Sequence, residues 1–204
     1  MVVPVVADAD TLFGGTTRGL LIHLDYQGMI RLHWSPLILE EMSRALVKTG
    51  RKSDPAAAAR HEALMRNALP QAEVPTADVQ SQFEAVAEAM RSAKDIHVAA
   101  CANVLRVQRY YPDSPVVNLV TKNIRDFGVR KLSALGIAVQ RPDAFLVDLF
   151  NQDADAVAAA FAALRETLRS GPTPDQLLER LAADGQTEAA AAMLAHWQAG
   201  TVSL

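Results

Sequence analysis

The sequence predicts an α/β fold: a central parallel sheet covered by helices on both faces, followed by a helical C-terminal extension. Three observations carry that expectation. Short, Val-rich apolar runs at residues 1–7, 115–121 and 136–140 have the composition of fully buried strands. The segments between them repeat apolar residues at helical spacing, as the crossovers of a parallel sheet require. After Pro142 the composition shifts to alanine and leucine, and no strand signal returns.

The elements follow in order. Residues 1–7 form the first strand and deliver Asp8 to its carboxyl end; were the strand to continue, Asp8 and Asp10 would point to the same side. Leu20, Leu21 and Leu24 predict a helix over 17–27 that stops at Gly28, and 29–34 (MIRLHW) alternates as a second strand. Ser35-Pro36 is an N-cap with proline at the first helical position, and Ile38, Leu39, Met42, Ala45 and Leu46 make the apolar stripe of a helix ending at Gly50. Another helix is predicted over 55–69. Thr76 is expected to cap the next, which runs through Val79, Phe83, Val86 and Met90, and one more over 94–109 begins beside Asp95. In the tail, Val157, Phe161, Leu164 and Leu168 line one helix. Thr173-Pro174-Asp175-Gln176 fits a capping box opening the next, which Gly185 ends, and Thr187 starts a last one through Met193, Leu194 and Trp197. The expected division is a domain over 1–145 and a helical extension over 146–204.

Composition narrows the function classes. The chain has 204 residues, half of them hydrophobic and 21% charged, which is an ordinary globular balance with room for one main core. A net charge of −3 argues against attachment to nucleic acid through bulk charge, leaving only local basic patches for that purpose. The single cysteine, Cys101, excludes an internal disulfide and a cysteine-based zinc cage, and reads as a small helical core residue. No apolar run reaches the ~18 residues of a membrane helix, and the N-terminus lacks the basic start of a secretory signal, so a cytoplasmic protein is expected.

In an open α/β sheet the working crevice lies beyond the carboxyl ends of the strands, where strand order reverses. Asp8 closes the first strand, and Asn123 and Asp126 follow the strand ending at Thr121, so both segments reach that edge. At about 100° per residue, Glu41 lies about 100° from the centre of its helix's apolar stripe and Glu40 about 160° away. Glu41 therefore leans towards a cleft and Glu40 faces water. Asp95 opens a helix, where capping is the alternative use of its carboxylate.

Taken together, "VVADADTLF", "SPLILEEMSRAL", "KDIHVAACA" and "LVTKNIRDF", in that order, resemble the PIN-domain ribonucleases, the class containing the VapC toxins of bacterial toxin–antitoxin pairs. The resemblance covers residues 2–145 and implies a three-layer α/β/α PIN-like domain; the tail, entered through "RPDAFLVDLF", looks like the extended VapC subfamily. It implies Asp8, Glu41, Asp95 and Asp126 as the catalytic acids. Those acids with Asn123 would ligate Mg²⁺ or Mn²⁺. Many relatives carry aspartate where Asn123 stands, which leaves open whether Asn123 or Asp126 does more of the metal work. Asp10 stands where the family often has asparagine or a small residue. The implied partners are an RNA substrate, a small antitoxin protein and a second copy of the chain in a homodimer.

The chemistry agrees with that implication. Several hard carboxylate oxygens suit Mg²⁺ or Mn²⁺, and such an ion acidifies a bound water and neutralises charge on a phosphorane-like transition state. Arg44, Lys48, Lys122 and Arg125 are the candidate RNA contacts, as phosphate positioners or as a solvated face; Arg51, Lys52, Arg130 and Lys131 lie near them in sequence. His33 and Trp34 read as strand-end packing and His97 as structural. Apolar helical surface within 36–69 is either core packing or a groove for an antitoxin segment. Two other readings remain. The opening pair is similar to the D-x-D-x-T loop of haloacid-dehalogenase phosphatases, although Thr11 comes one residue early and the downstream Gly-Asp-x-x-x-Asp segment is absent. The alternative without catalysis is a PIN-like protein-binding module.

Overall fold

The computed structural model describes residues 2–204. Four short strands build one parallel sheet in the order β2-β1-β3-β4: β1 (Val3–Ala7), β2 (Ile30–His33), β3 (Val117–Val120) and β4 (Ile137–Gln140). The order has a direct consequence for the site. From β1 the chain crosses to β2 on one side, whereas β3 lies on the other, so strand order reverses between β1 and β3. Their register pairs Val5 with Asn118, Val6 with Leu119 and Ala7 with Val120, which sets Asp8 beside Thr121 immediately beyond the last pair.

The chain divides into two compact units. The first takes the chain up to Phe13 together with Arg31–Gln140. It contains α1 (Ala9–Phe13), α3 (Pro36–Lys48), α4 (Pro55–Ala68), α5 (Thr76–Ser81), α6 (Phe83–Ala87), α7 (Ile96–Val107) and α8 (Val129–Ala134). Its centre is α7, buried along most of its length and packed against β1 and β3; Cys101 sits in that core, where burial pushes its thiol pKa up. Trp34 and His33 are buried at the end of β2, and His33 joins the Ala72 carbonyl at 3.0 Å and the Tyr111 hydroxyl at 2.5 Å, a packing role as expected.

The second unit joins Gly14–Ile30 to Arg141–Leu204. Here α2 (Gly15–Tyr26) packs on α10 (Ala154–Thr167) and α11 (Pro174–Ala183), with α9 (Pro142–Gln152) and α12 (Thr187–Gln198) completing the bundle. Gly19 allows the close approach of α2 and α10, since a β-carbon there would lie 2.7 Å from Leu164. The capping box at Thr173 and Gln176 forms as expected. The boundary drawn from sequence at 145/146 lies inside α9, and α2 belongs with the C-terminal helices.

Three expectations are corrected. Asp10 does not continue a strand: after Asp8 the chain turns at once into α1, with the Asp8 carbonyl accepting from Thr11 and Leu12 at 3.0 Å each. The helix expected through Val79, Phe83, Val86 and Met90 is broken at Gln82, whose side-chain oxygen accepts from Asn103 Nδ2 at 2.9 Å. Thr76 is the first helical residue rather than the cap, a position taken by Pro75 without a side-chain bond. Among the described residues, no helix is long and apolar enough to cross a membrane.

Candidate active site

Asp8 stands at the point of strand reversal and is 5% exposed. Three hydrogen bonds hold it there. Its backbone N–H donates to the Val120 carbonyl at 3.0 Å, Ala9 N–H donates to its Oδ1 at 2.6 Å, and the Thr121 hydroxyl donates to its Oδ2 at 2.7 Å. Burial and the negative charges of Asp10 and Glu41 outweigh the two bonds to its carboxylate, and the pKa is pushed up to about 7. Asp10 is committed differently: both its oxygens accept from the Lys122 backbone N–H, at 3.1 and 3.0 Å, and Thr121 reaches it at 3.2 Å. Its carboxylate clamps the turn after β3.

Helix α3 carries Glu41 inward. Ser35 caps it by accepting from Ile38 N–H at 3.3 Å, and the phase so fixed leaves Glu40 exposed and Glu41 half-buried, as the helical wheel requires. His97, on the first turn of α7, puts Nε2 3.2 Å from Glu41 Oε2 while Nδ1 lies 3.0 Å from the Lys94 carbonyl. The His97 ring holds the Glu41 carboxyl below its ordinary value against the effect of burial. Burial alone would lower the His97 pKa; the Glu41 contact and the Asp8 charge outweigh it and raise the imidazole's value.

Asp95 closes a 3₁₀ turn (Ala93–Asp95) in which Ser92 Oγ accepts from Lys94 N–H. Although it occupies the N-cap position of α7, its side chain makes no capping bond, so the alternative use of this acid is not realised. Its Oδ2 is buried and receives no hydrogen bond from a donor, and the Asp95 carboxyl lies within hydrogen-bonding reach of the Asp126 carboxyl. Burial, then the facing carboxyl of Asp126 and the charge of Glu41, push its pKa up to about 6. Asp126 closes another 3₁₀ turn (Ile124–Asp126) and receives a short hydrogen bond from Asn123 Nδ2.

The four acids therefore influence one another through charge: Asp8 with Glu41, Glu41 with Asp95, and Asp95 with Asp126. As they stand, no three His, Cys, Asp or Glu side chains among the described residues are close enough together to enclose an ion. The donor chemistry nevertheless fits a hard divalent cation. It comprises carboxylate oxygens at a sheet edge, two of the acids with pKa values raised by burial and by their crowded neighbours, and one buried oxygen left without a donor. Asp8, Glu41, Asp95, Asn123 and Asp126 are the residues that could hold it.

The basic candidates disperse. Arg44 is exposed and pairs with Glu40 at 3.2 Å; with Lys94 it lines a cavity of about 530 Å³ that also reaches Glu41 and His97. Lys48 instead lines a cavity of about 410 Å³ between α3 and α4. Lys122 contributes its backbone N–H to Asp10, and Arg125 is exposed in the turn between Asn123 and Asp126. Two partnerships of the site have no signal in the sequence. Thr121 lies within the LVTKNIRDF segment, but its bond to Asp8 spans 113 positions; His97, which reads as structural, meets Glu41 through the packing of α3 on α7.

Residues 142–195 match the family model of the VapC50 C-terminal domain. No curated protein and no solved structure matches the chain significantly.

Proposed function

We propose that the protein is a Mg²⁺- or Mn²⁺-dependent endoribonuclease and the toxin of a type II toxin–antitoxin pair. The observation that carries this reading is the Asp95 carboxylate, which sits at a helix start without capping it and keeps a buried oxygen without a donor, facing Asp126 and within the field of Glu41. A buried carboxylate oxygen without a donor is uncommon, and a bound cation would answer it. The match of the tail to the VapC50 C-terminal domain supports the toxin assignment from an independent part of the chain.

In this reading Asp8, Glu41, Asp95, Asn123 and Asp126 hold the cation. The ion, when bound, supplies an acidified water and neutralises developing charge on the phosphodiester. The chain's own residues do the rest. Thr121 and Ala9 immobilise Asp8, and His97 fixes Glu41. Arg44 and Arg125 offer exposed cations to the RNA backbone. A small antitoxin and a second copy of the chain are the proposed protein partners, by analogy with the toxin class. The phosphatase alternative needs Asp10 as a free acid, and both its oxygens are already engaged by the Lys122 N–H.

The test is cleavage of a mixed-sequence, fluorophore-quenched single-stranded RNA. Fluorescence should rise with Mn²⁺ or Mg²⁺, stay flat in EDTA, and be lost in Asp95→Asn. Turnover of p-nitrophenyl phosphate in place of RNA would overturn the reading.

A further inference from the structure

The charges around the acid cluster are unevenly answered. A cavity of about 310 Å³ is lined by Arg91, Arg130 and Lys131 from two segments that meet beside the site. Those segments are bound tightly. Arg91 N–H donates to the Asp126 carbonyl at 2.8 Å, Gly128 N–H donates to the Ala89 carbonyl at 2.7 Å, and Lys131 Nζ donates to the Glu88 carbonyl at 2.8 Å. A β-carbon at residue 128 would lie 2.6 Å from the Ala89 oxygen, so only glycine permits this junction. The cavity is thus a formed depression, fixed by its backbone to the turn that carries Asp126.

Its electrostatics are one-sided. Neither the Arg91 nor the Arg130 guanidinium has a hydrogen-bond or ion-pair partner among the described residues, and the side chain of Glu88, the acid on the same rim, pairs with none of the three cations. All three cations are exposed, so water and counter-ions answer them in the free chain, and a polyanion gains by taking the place of those counter-ions. In a chain of net charge −3 the concentration of cations here is local. Guanidinium groups match phosphate oxygens through paired donors, and a lysine adds a point charge.

We infer that the cavity lined by Arg91, Arg130 and Lys131 is a backbone-phosphate subsite, which seats a phosphate of the RNA strand neighbouring the one presented to Asp95 and Asp126. This rests on the nuclease reading for the identity of the polyanion, but the subsite acts in binding and its test needs no cleavage. It positions the strand without reading bases.

The experiment is fluorescence anisotropy of a short fluorescein-labelled oligouridylate, titrated in EDTA over a range of KCl concentrations. Wild type, Arg91→Ala with Arg130→Ala, and a charge-matched control, Arg60→Ala with Arg169→Ala, are compared after their melting curves confirm folding. Each phosphate contact on a single strand contributes about 0.7 to the slope of log K against log salt, so the subsite variant should lose about 0.7 in slope and bind several-fold more weakly, while the control keeps the wild-type slope. Equal slopes for the two double variants would overturn the subsite while leaving the nuclease reading intact. Absence of RNA binding by wild type would overturn both. Metal-dependent cleavage absent despite the predicted slope change would remove the nuclease reading and leave the subsite standing.

Discussion

The hydroxyl of Thr121 donates to Asp8 Oδ2 at 2.7 Å, joining the first residue beyond β3 to the first residue beyond β1. The bond ties the acid at the centre of the site to the point where strand order reverses. Thr121→Val keeps the shape of the side chain and removes the donor. It should destabilise the protein by about 1–3 kcal/mol, since a buried carboxylate oxygen is left unsatisfied. The loss should be larger above pH 7, where Asp8 is ionised, than at pH 5; thermal melting at the two pH values checks it.

Asp8 itself makes stability depend on pH. Its pKa is about 7 in the folded chain against 3.8 for an unperturbed aspartate. Between those values the folded state keeps a proton that the unfolded state has released, so stability falls as pH rises and levels off above about 7. His33 acts in the opposite sense, because burial lowers its pKa from 6.5 to about 4, and stability rises with pH through that window. The difference between Asp8→Asn and wild type isolates the first effect. In EDTA the variant should gain on wild type steadily from pH 4 to pH 7.5, by at most about 4 kcal/mol.

His97→Gln tests whether the Glu41 contact serves the site or the fold. The pair is partly exposed, with Glu41's side chain 42% accessible, so its removal should change stability by under about 1 kcal/mol. Loss of an orienting partner should lower metal-dependent RNA cleavage by roughly 10- to 100-fold. A large fall in melting temperature with unchanged cleavage per folded molecule would make His97 a packing residue.

In the second unit, Asp184 Oδ2 accepts from the backbone N–H groups of Thr16 and Thr17 at 2.8 and 3.0 Å, capping α2 from the end of α11. Asp184→Ala should cost about 0.5–2 kcal/mol in thermal or urea unfolding. Amide exchange should speed up in the first turn of α2.

Much of this was legible before the structure because it depends on local rules. The buried strands, the Ser35 cap, the Thr173 capping box and the separation of Glu41 from Glu40 all follow from short-range spacing, and each formed as expected. What the sequence hid depends on distant partners. Gln82 breaks a helix where its side chain is taken by Asn103, and Asp10 clamps Lys122 from more than a hundred residues away. Helix α2 has an ordinary crossover pattern, yet its partners are α10 and α11, which spacing alone cannot name. Spacing puts Asp95 at a helix start, but only the structure distinguishes a capping carboxylate from one that faces another acid and leaves the cap unmade.

We propose that Asp8, Glu41, Asp95 and Asp126 close around a divalent cation when it binds, since they couple through charge although no three of them stand close enough to enclose an ion without it. The most direct measurement is a Mn²⁺ titration at pH 7.5 followed by electron paramagnetic resonance of the free ion, on wild type, Asp8→Asn, Asp95→Asn and the surface control Asp175→Asn. The account predicts saturable binding by wild type and the control, and affinity at least tenfold weaker in each site variant. Wild-type protein that takes up no Mn²⁺, or site variants that bind it as tightly as the control, would contradict it.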